Sequence, residues 1–156
     1  RYRRRPVNPA VLANALHTPS YLSSLWALGF FGLIPERVVA YTSVTTRVPR
    51  RFENAVGVFE YRHVKQAFFF GYRAVAIQGD KVMMAEPEKA LLDLWHLKAG
   101  AWTRERMSAM RFQNQDAVDP KRLEEYARRW SSPRLMNAVA VWVEDAASER
   151  EGTVDL

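Results

Sequence analysis

Cysteine is absent from this chain of 156 residues. That excludes disulfides, thiol nucleophiles and cysteine metal sites, and it suits a reducing cytoplasm. Histidine is scarce: His17, His63 and His96 lie far apart, none at ligand spacing from another metal-binding side chain. No metal or other cofactor is therefore expected. No apolar run approaches the ~18 residues that span a bilayer. The basic opening Arg1-Tyr2-Arg3-Arg4-Arg5 is not followed by the apolar segment of a secretory signal. A membrane partner is not expected. A Gly-rich phosphate loop is also missing, since Gly29-x-x-Gly32 falls in a helix and its end. Ser23, Ser24 and Ser43 lack the glycine-framed turn that exposes a nucleophilic serine.

Hydrophobic residues make up 48% of the sequence and aromatics 12%, enough to build a substantial core and to argue against disorder along the whole chain. One domain over residues 1–156 is the expectation at this length. The net charge of +6 is unevenly spread. Residues 1–73 hold 11 Lys/Arg against 3 Asp/Glu, while residues 74–156 hold 12 against 14. A basic first half favours polyanions such as nucleic acid, or an acidic partner. The same asymmetry is also met on merely solvated arginine-rich faces.

Local signals divide the chain into two short helices, a strand-rich middle and a helical C-terminal part. Asn8 caps a helix with Pro9 in its first turn, and Val11, Leu12, Ala15 and Leu16 give it an apolar face. Ser23 or Ser24 caps a second helix, which packs through Leu25, Trp26, Leu28 and Phe31 and stops at Gly32. Gly29 within it suggests a close backbone neighbour. Residues 38–46 and 56–64 read as strands, with Pro49-Arg50-Arg51 as a basic connector. Residues 73–78 and 81–85 form a hairpin around Gly79-Asp80. Met84 to Leu97 is the best-marked helix: Pro87 opens it, Glu86 and Glu88 favour its N-terminal dipole, and Ala90, Leu91, Leu94 and Leu97 make one apolar stripe. Thr103, Asp119-Pro120 and Ser132-Pro133 then start three more helices. Leu123, Tyr126, Ala127 and Trp130 face inward from the second of these, and Leu135, Met136, Val139 and Val143 from the third. The polar, acidic residues 146–156 are expected to fray. The predicted class is α+β: short N-terminal helices, a mostly antiparallel sheet and a helical C-terminal part.

Two constellations invite a functional reading. Residues 42–72 carry Arg47, Arg50, Arg51, Arg62 and Lys65, interleaved with Phe52, Phe59, Tyr61 and Phe68. Arginine forks hold phosphates and aromatic faces stack bases, so this stretch is the candidate nucleic-acid or partner surface, with Arg3, Arg4 and Arg5 added from the opening run. The competing reading makes the aromatics core and the arginines solvated. The second constellation is Asp80 with Glu86, Glu88 and Lys89, a possible divergent metal-dependent nuclease. Its weakness is geometric: Glu88 and Lys89 are adjacent, so on a helix their side chains diverge by about 100°.

Five pieces in order carry a resemblance. They are Tyr21-Leu22-Ser23-Ser24-Leu25-Trp26-Ala27-Leu28, Gly32-Leu33-Ile34-Pro35-Glu36, Thr42-Ser43-Val44-Thr45-Thr46-Arg47, Phe69-Phe70-Gly71-Tyr72 and Ala85-Glu86-Pro87-Glu88-Lys89-Ala90-Leu91-Leu92-Asp93-Leu94. Together they resemble the AbiEi-type antitoxins of bacterial toxin–antitoxin systems, over residues 21–97. The resemblance implies a cytoplasmic, non-enzymatic antitoxin domain acting in phage defence and in repression of its own operon. It implies a nucleotidyltransferase-like toxin as functional partner, countered without an obligatory stable complex. It also implies DNA binding through an N-terminal winged helix, of which Arg1 to Pro6 reads as a remnant. No catalytic residues carry over. A stand-alone nucleic-acid-binding module and the nuclease remain the alternatives.

Overall fold

The computed structural model describes residues 6–154. Its elements run α1 (Pro9–Leu16), β1 (Ser20–Leu22), α2 (Ser24–Phe30), β2 (Tyr41–Thr45), β3 (Arg50–Glu53), β4 (Val58–His63), β5 (Tyr72–Ile77), β6 (Asp80–Ala85), α3 (Pro87–Leu97), α4 (Arg104–Ala109), α5 (Pro120–Arg128) and α6 (Pro133–Val154). The fold is α+β, as the sequence predicts. One six-stranded sheet has the order β3-β4-β2-β1-β6-β5. Its pairings are mixed: β1–β2, β3–β4 and β5–β6 are antiparallel, whereas β1–β6 and β2–β4 are parallel.

The N-caps form where short polar side chains precede a proline or an apolar run. Asn8 Oδ1 accepts from Ala10 N, Thr103 from Arg106 N, and Asp119 from Lys121 N and Arg122 N. Ser23 is the exception. It is the N-cap residue of α2 but makes no side-chain cap bond, because its hydroxyl donates to Asp93 Oδ2 at 2.7 Å. Gly32 ends α2 with φ +72°, and Leu33 N closes onto Leu28 O at 2.9 Å.

Several local expectations are revised. Residues 20–22 form a strand that the sequence reading passes over; it is only three residues long yet joins the two halves of the sheet. Arg50 and Arg51 are not in a connector but open β3, an edge strand that tolerates Pro49 immediately before it. In α1 the buried face is Ala10 and Ala13, while Val11 and Ala15 point outward, so the stripe is rotated from the predicted one. In α6 Val143 is exposed and Ala138 and Trp142 are buried instead. The β5–β6 turn lies at Gln78-Gly79, both with positive φ, one residue earlier than expected. α6 runs to Val154, and Ala146 is buried in the core.

The largest revision concerns α3. It does not show one apolar stripe to the core. Residues 87–95 are buried on every side, Glu88, Lys89 and Asp93 included. Sheet strands, α2, α5 and α6 surround this helix, and a continuous cluster from Ala10 to Trp142 packs about it. Among the described residues no helix is long and apolar enough to cross a membrane.

Candidate functional site

Two places gather polar and charged side chains. The first is the interior of α3. Lys89 Nζ donates to Asp93 Oδ1, Tyr21 Oη and Phe68 O, each at 2.7 Å. Asp93 Oδ2 accepts from Tyr21 Oη at 2.9 Å and from Ser23 Oγ at 2.7 Å. All three ammonium protons thus have acceptors, which is the condition for holding such a charge away from water. The ammonium also lies 4.7 Å from the centre of the Phe70 ring and 5.1 Å from that of Trp130, where the faces of the aromatic quadrupoles attract it. Burial lowers the Lys89 pKa, and Asp93 opposes the shift. Burial and the Asp93 charge raise that of Tyr21.

This network unites Ser23, Tyr21, Lys89 and Asp93, residue types that elsewhere do nucleophilic and general-base chemistry. Here all four are closed off, with no exposed surface. A substrate has no route to them, so the arrangement holds the fold together. Separate stretches of the chain meet at it: Tyr21 and Ser23 from one, the Phe68 carbonyl and the Phe70 ring from another, Lys89 and Asp93 from a third. Thr42, from a fourth, donates to Ser23 O at 2.7 Å and accepts from Trp26 N at 3.1 Å. Gly71 adopts φ +73°, and a Cβ there would sit 3.0 Å from Lys89 Cγ.

The neighbouring acids of α3 act as clips rather than as a metal cradle. Glu88 Oε2 accepts from Asp119 N at 2.7 Å, and Glu86 accepts from Tyr126 Oη at 2.6 Å. Arg122 approaches both carboxylates, at 3.4 Å and 3.7 Å. Asp80, the other acid of the nuclease reading, accepts instead from Asn8 Nδ2 at 3.2 Å at the far hairpin. Among the described residues no three His, Asp or Glu side chains converge as a metal site.

The second place is a cleft of about 510 Å³ between the β2–β4–β3 part of the sheet, the start of α2 and the end of α3. Arg51, Arg62 and Lys98 line it, with Glu60 as the lone acid, Ser24 and Thr42 as hydroxyls, and Leu25, Leu97 and Pro49 as apolar wall. Strand register explains the assembly. Arg51 lies opposite Glu60, which lies beside Thr42, so three adjacent strands deliver side chains to one place. Arg51 is drawn toward Glu53 at 3.5 Å and Glu60 at 3.6 Å, both partly exposed. Arg62 donates to Leu97 O at 3.3 Å and so covers a free carbonyl at the end of α3. Lys98 has no anionic partner among the described residues. The cleft therefore carries unbalanced positive charge.

The basic residues singled out in the sequence thus separate. Arg51 and Arg62 share the cleft, whereas Arg50, paired with the core residue Tyr61, turns its side chain to the opposite face of the sheet. Arg47 lies outside it, donating to Thr18 O at 3.2 Å and offering its own carbonyl to His63 Nδ1. Lys65 is exposed beside the short turn at residues 66–68, also outside the cleft. Arg3, Arg4 and Arg5 lie outside the described residues. The interleaved aromatics are not a stacking platform. Phe59 and Tyr61 are core, Phe52 packs edge-on against Tyr61, and Phe68 stacks on Trp130 at 4.9 Å.

Sequence reasoning missed Lys98, which reaches the cleft only because α3 ends there. It also missed Arg134, whose guanidinium donates to Trp95 O, His96 O, Lys98 O and Gly100 O and so holds the C-terminal end of α3. A lone arginine one position after a helix-opening proline gave no hint of that. The fold and cleft define an α+β domain with a basic recess and a closed ionic interior. Set against known proteins, the chain matches no family model, no curated protein and no solved structure.

Proposed function

We propose that this chain is a non-catalytic binding domain of the AbiEi antitoxin type, working in the cytoplasm through its basic cleft to counter a nucleotidyltransferase-like toxin. One observation carries the reading: Arg51, Arg62 and Lys98 surround a single recess in which Glu60 is the lone opposing charge. A polyanion entering there displaces screening ions and meets guanidinium forks already placed by the sheet. Support for a binding rather than a chemical role comes from the acids. Glu88 and Glu86 are committed to α5, and Asp93 to Lys89, so none is free to activate water or hold a cation. Further support comes from the resemblance, three of whose five ordered pieces supply side chains to one buried network.

The test is growth rescue. Co-expression with a neighbouring nucleotidyltransferase-like gene is expected to restore growth, and Arg51→Ala/Arg62→Ala/Lys98→Ala to abolish rescue while the domain still folds. Rescue by the triple variant at wild-type level removes the cleft from antitoxicity. A genome with no such gene beside this one removes the antitoxin reading itself. The same variant separates the alternative of a nucleic-acid-binding module. DNA or RNA affinity is then expected to fall in a salt-dependent way, with a slope flattened by about one unit for each phosphate left unneutralised.

A further inference from the structure

We infer that the cleft is a nucleotide site: it takes one nucleoside phosphate unit, either a free nucleotide or the terminal nucleotide of a single strand. The inference rests on the basic cleft being the working surface and adds what enters it. Volume comes first. The recess of about 510 Å³ falls within the roughly 300–1,000 Å³ range of small-ligand sites. It is bounded on one side by Ser24 and Leu25 at the start of α2 and on another by Leu97 and Lys98 at the end of α3. A duplex lies across a surface; a recess walled by two helix ends and the sheet suits a single unit.

Charge and polarity give the chemistry. Lys98 has no anionic partner among the described residues, and Arg62 meets only a carbonyl, at 3.3 Å. Lys98 and Arg62 are thus available to non-bridging phosphate oxygens, with Arg51 held back by Glu53 and Glu60. The wall between them is apolar: Leu25, Leu97 and Pro49 offer a dry surface for a sugar or base edge. An acidic peptide would satisfy the cations but leave that wall uncovered. The aromatic rings nearby are spent on packing, so recognition of a base proceeds by contact and shape rather than by stacking. Arg47 and Lys65, outside the cleft, have no part in holding the ligand.

Isothermal titration with ATP, CTP, a 5′-phosphorylated single-stranded hexamer, the same hexamer without the phosphate, and a 20-base-pair duplex tests this. Saturable one-site binding of a nucleotide or of the phosphorylated hexamer is expected. Arg62→Ala and Lys98→Ala should each weaken it roughly tenfold or more, as loss of a charged hydrogen bond does. Arg47→Ala and Lys65→Ala should leave it unchanged. Both cleft substitutions are at exposed side chains, and an unchanged unfolding midpoint keeps the comparison interpretable. Preference for triphosphates identifies a free nucleotide, and preference for the phosphorylated hexamer identifies a strand end. The inference is overturned if neither binds, if the unphosphorylated hexamer or the duplex binds equally well, or if Arg62→Ala and Lys98→Ala bind as wild type. Rescue of growth that still depends on Arg51, Arg62 and Lys98 would then leave the antitoxin reading standing while the nucleotide site falls.

Discussion

At Lys89 three hydrogen bonds of 2.7 Å replace the water that an ammonium loses on burial. Removing one partner leaves the other charge stranded. Lys89→Met is therefore expected to destabilise by about 3–5 kcal/mol, and Asp93→Leu alone by a comparable amount. The double variant should recover a substantial part of that loss, because no charge remains to be solvated. Urea unfolding of the three proteins measures it, and strict additivity would show that the pair is not coupled. Gly71 belongs to the same neighbourhood. With φ +73° and Lys89 Cβ 3.1 Å from an added Cβ, Gly71→Ala should cost about 1–3 kcal/mol by the same measurement. Neither position announces itself in the sequence. Lysine one residue after glutamate on a marked helix reads as a solvated pair, and only the surrounding elements make it interior.

Between elements, the carboxylates of α3 decide how the helical part docks. Glu88 is 1% exposed and accepts from Asp119 N, the residue that also caps α5. One residue therefore links the cap of α5 to the core of α3. Glu88→Ala takes the acceptor from the Asp119 N–H and leaves Arg122 with Glu86 alone, at a cost of about 1–2 kcal/mol. Amide exchange should quicken in residues 120–128 while residues 87–97 stay protected; uniform loss of protection would mean that α5 does not dock as a unit. The helix starts were legible because caps and prolines act locally. The partners of Glu86 and Glu88 were not, since Tyr126 and Asp119 lie more than thirty residues away in the chain. Strand β1 was missed for a related reason: three residues between two helices carry no periodicity to read.

For the whole molecule, pH reports how burial treats its ionisable groups. Burial holds His96 below its ordinary 6.5, with Asp93 opposing and the Arg134 and Lys89 charges adding to the shift. The unfolded chain then binds the extra proton first, so stability is full above pH 6.5 and falls as the pH drops through the lowered value. Burial raises Tyr61 and Tyr126 from 10.0 to about 12, with Glu86 adding to the shift at Tyr126, and moves Tyr21 further in the same direction. These groups stabilise fully below pH 10 and lose that contribution as the pH rises toward 12. Lys89, lowered from 10.5, works the other way until the unfolded lysine has also lost its proton. The unfolding midpoint should therefore fall on both sides of a neutral plateau. The steep alkaline loss is expected above about 10.5, and His96→Gln should soften the acid limb. An alkaline limb that starts well below pH 10 would contradict the buried tyrosines.

What the sequence determined by itself was local and compositional. The helix starts at Pro9, Pro87, Pro120 and Pro133, the β5–β6 hairpin, the lack of thiol chemistry and the basic first half all follow from residue type at short range. Tertiary structure alone decided which charges are interior and which are available. Lys89 and Asp93 were enclosed because α3 became the central helix, with neighbours on every face. Arg51, Arg62 and Lys98 were gathered because a mixed sheet set strands side by side against a helix end. Burial and long-range register are properties of the assembled chain, and both depend on contacts that no local pattern encodes.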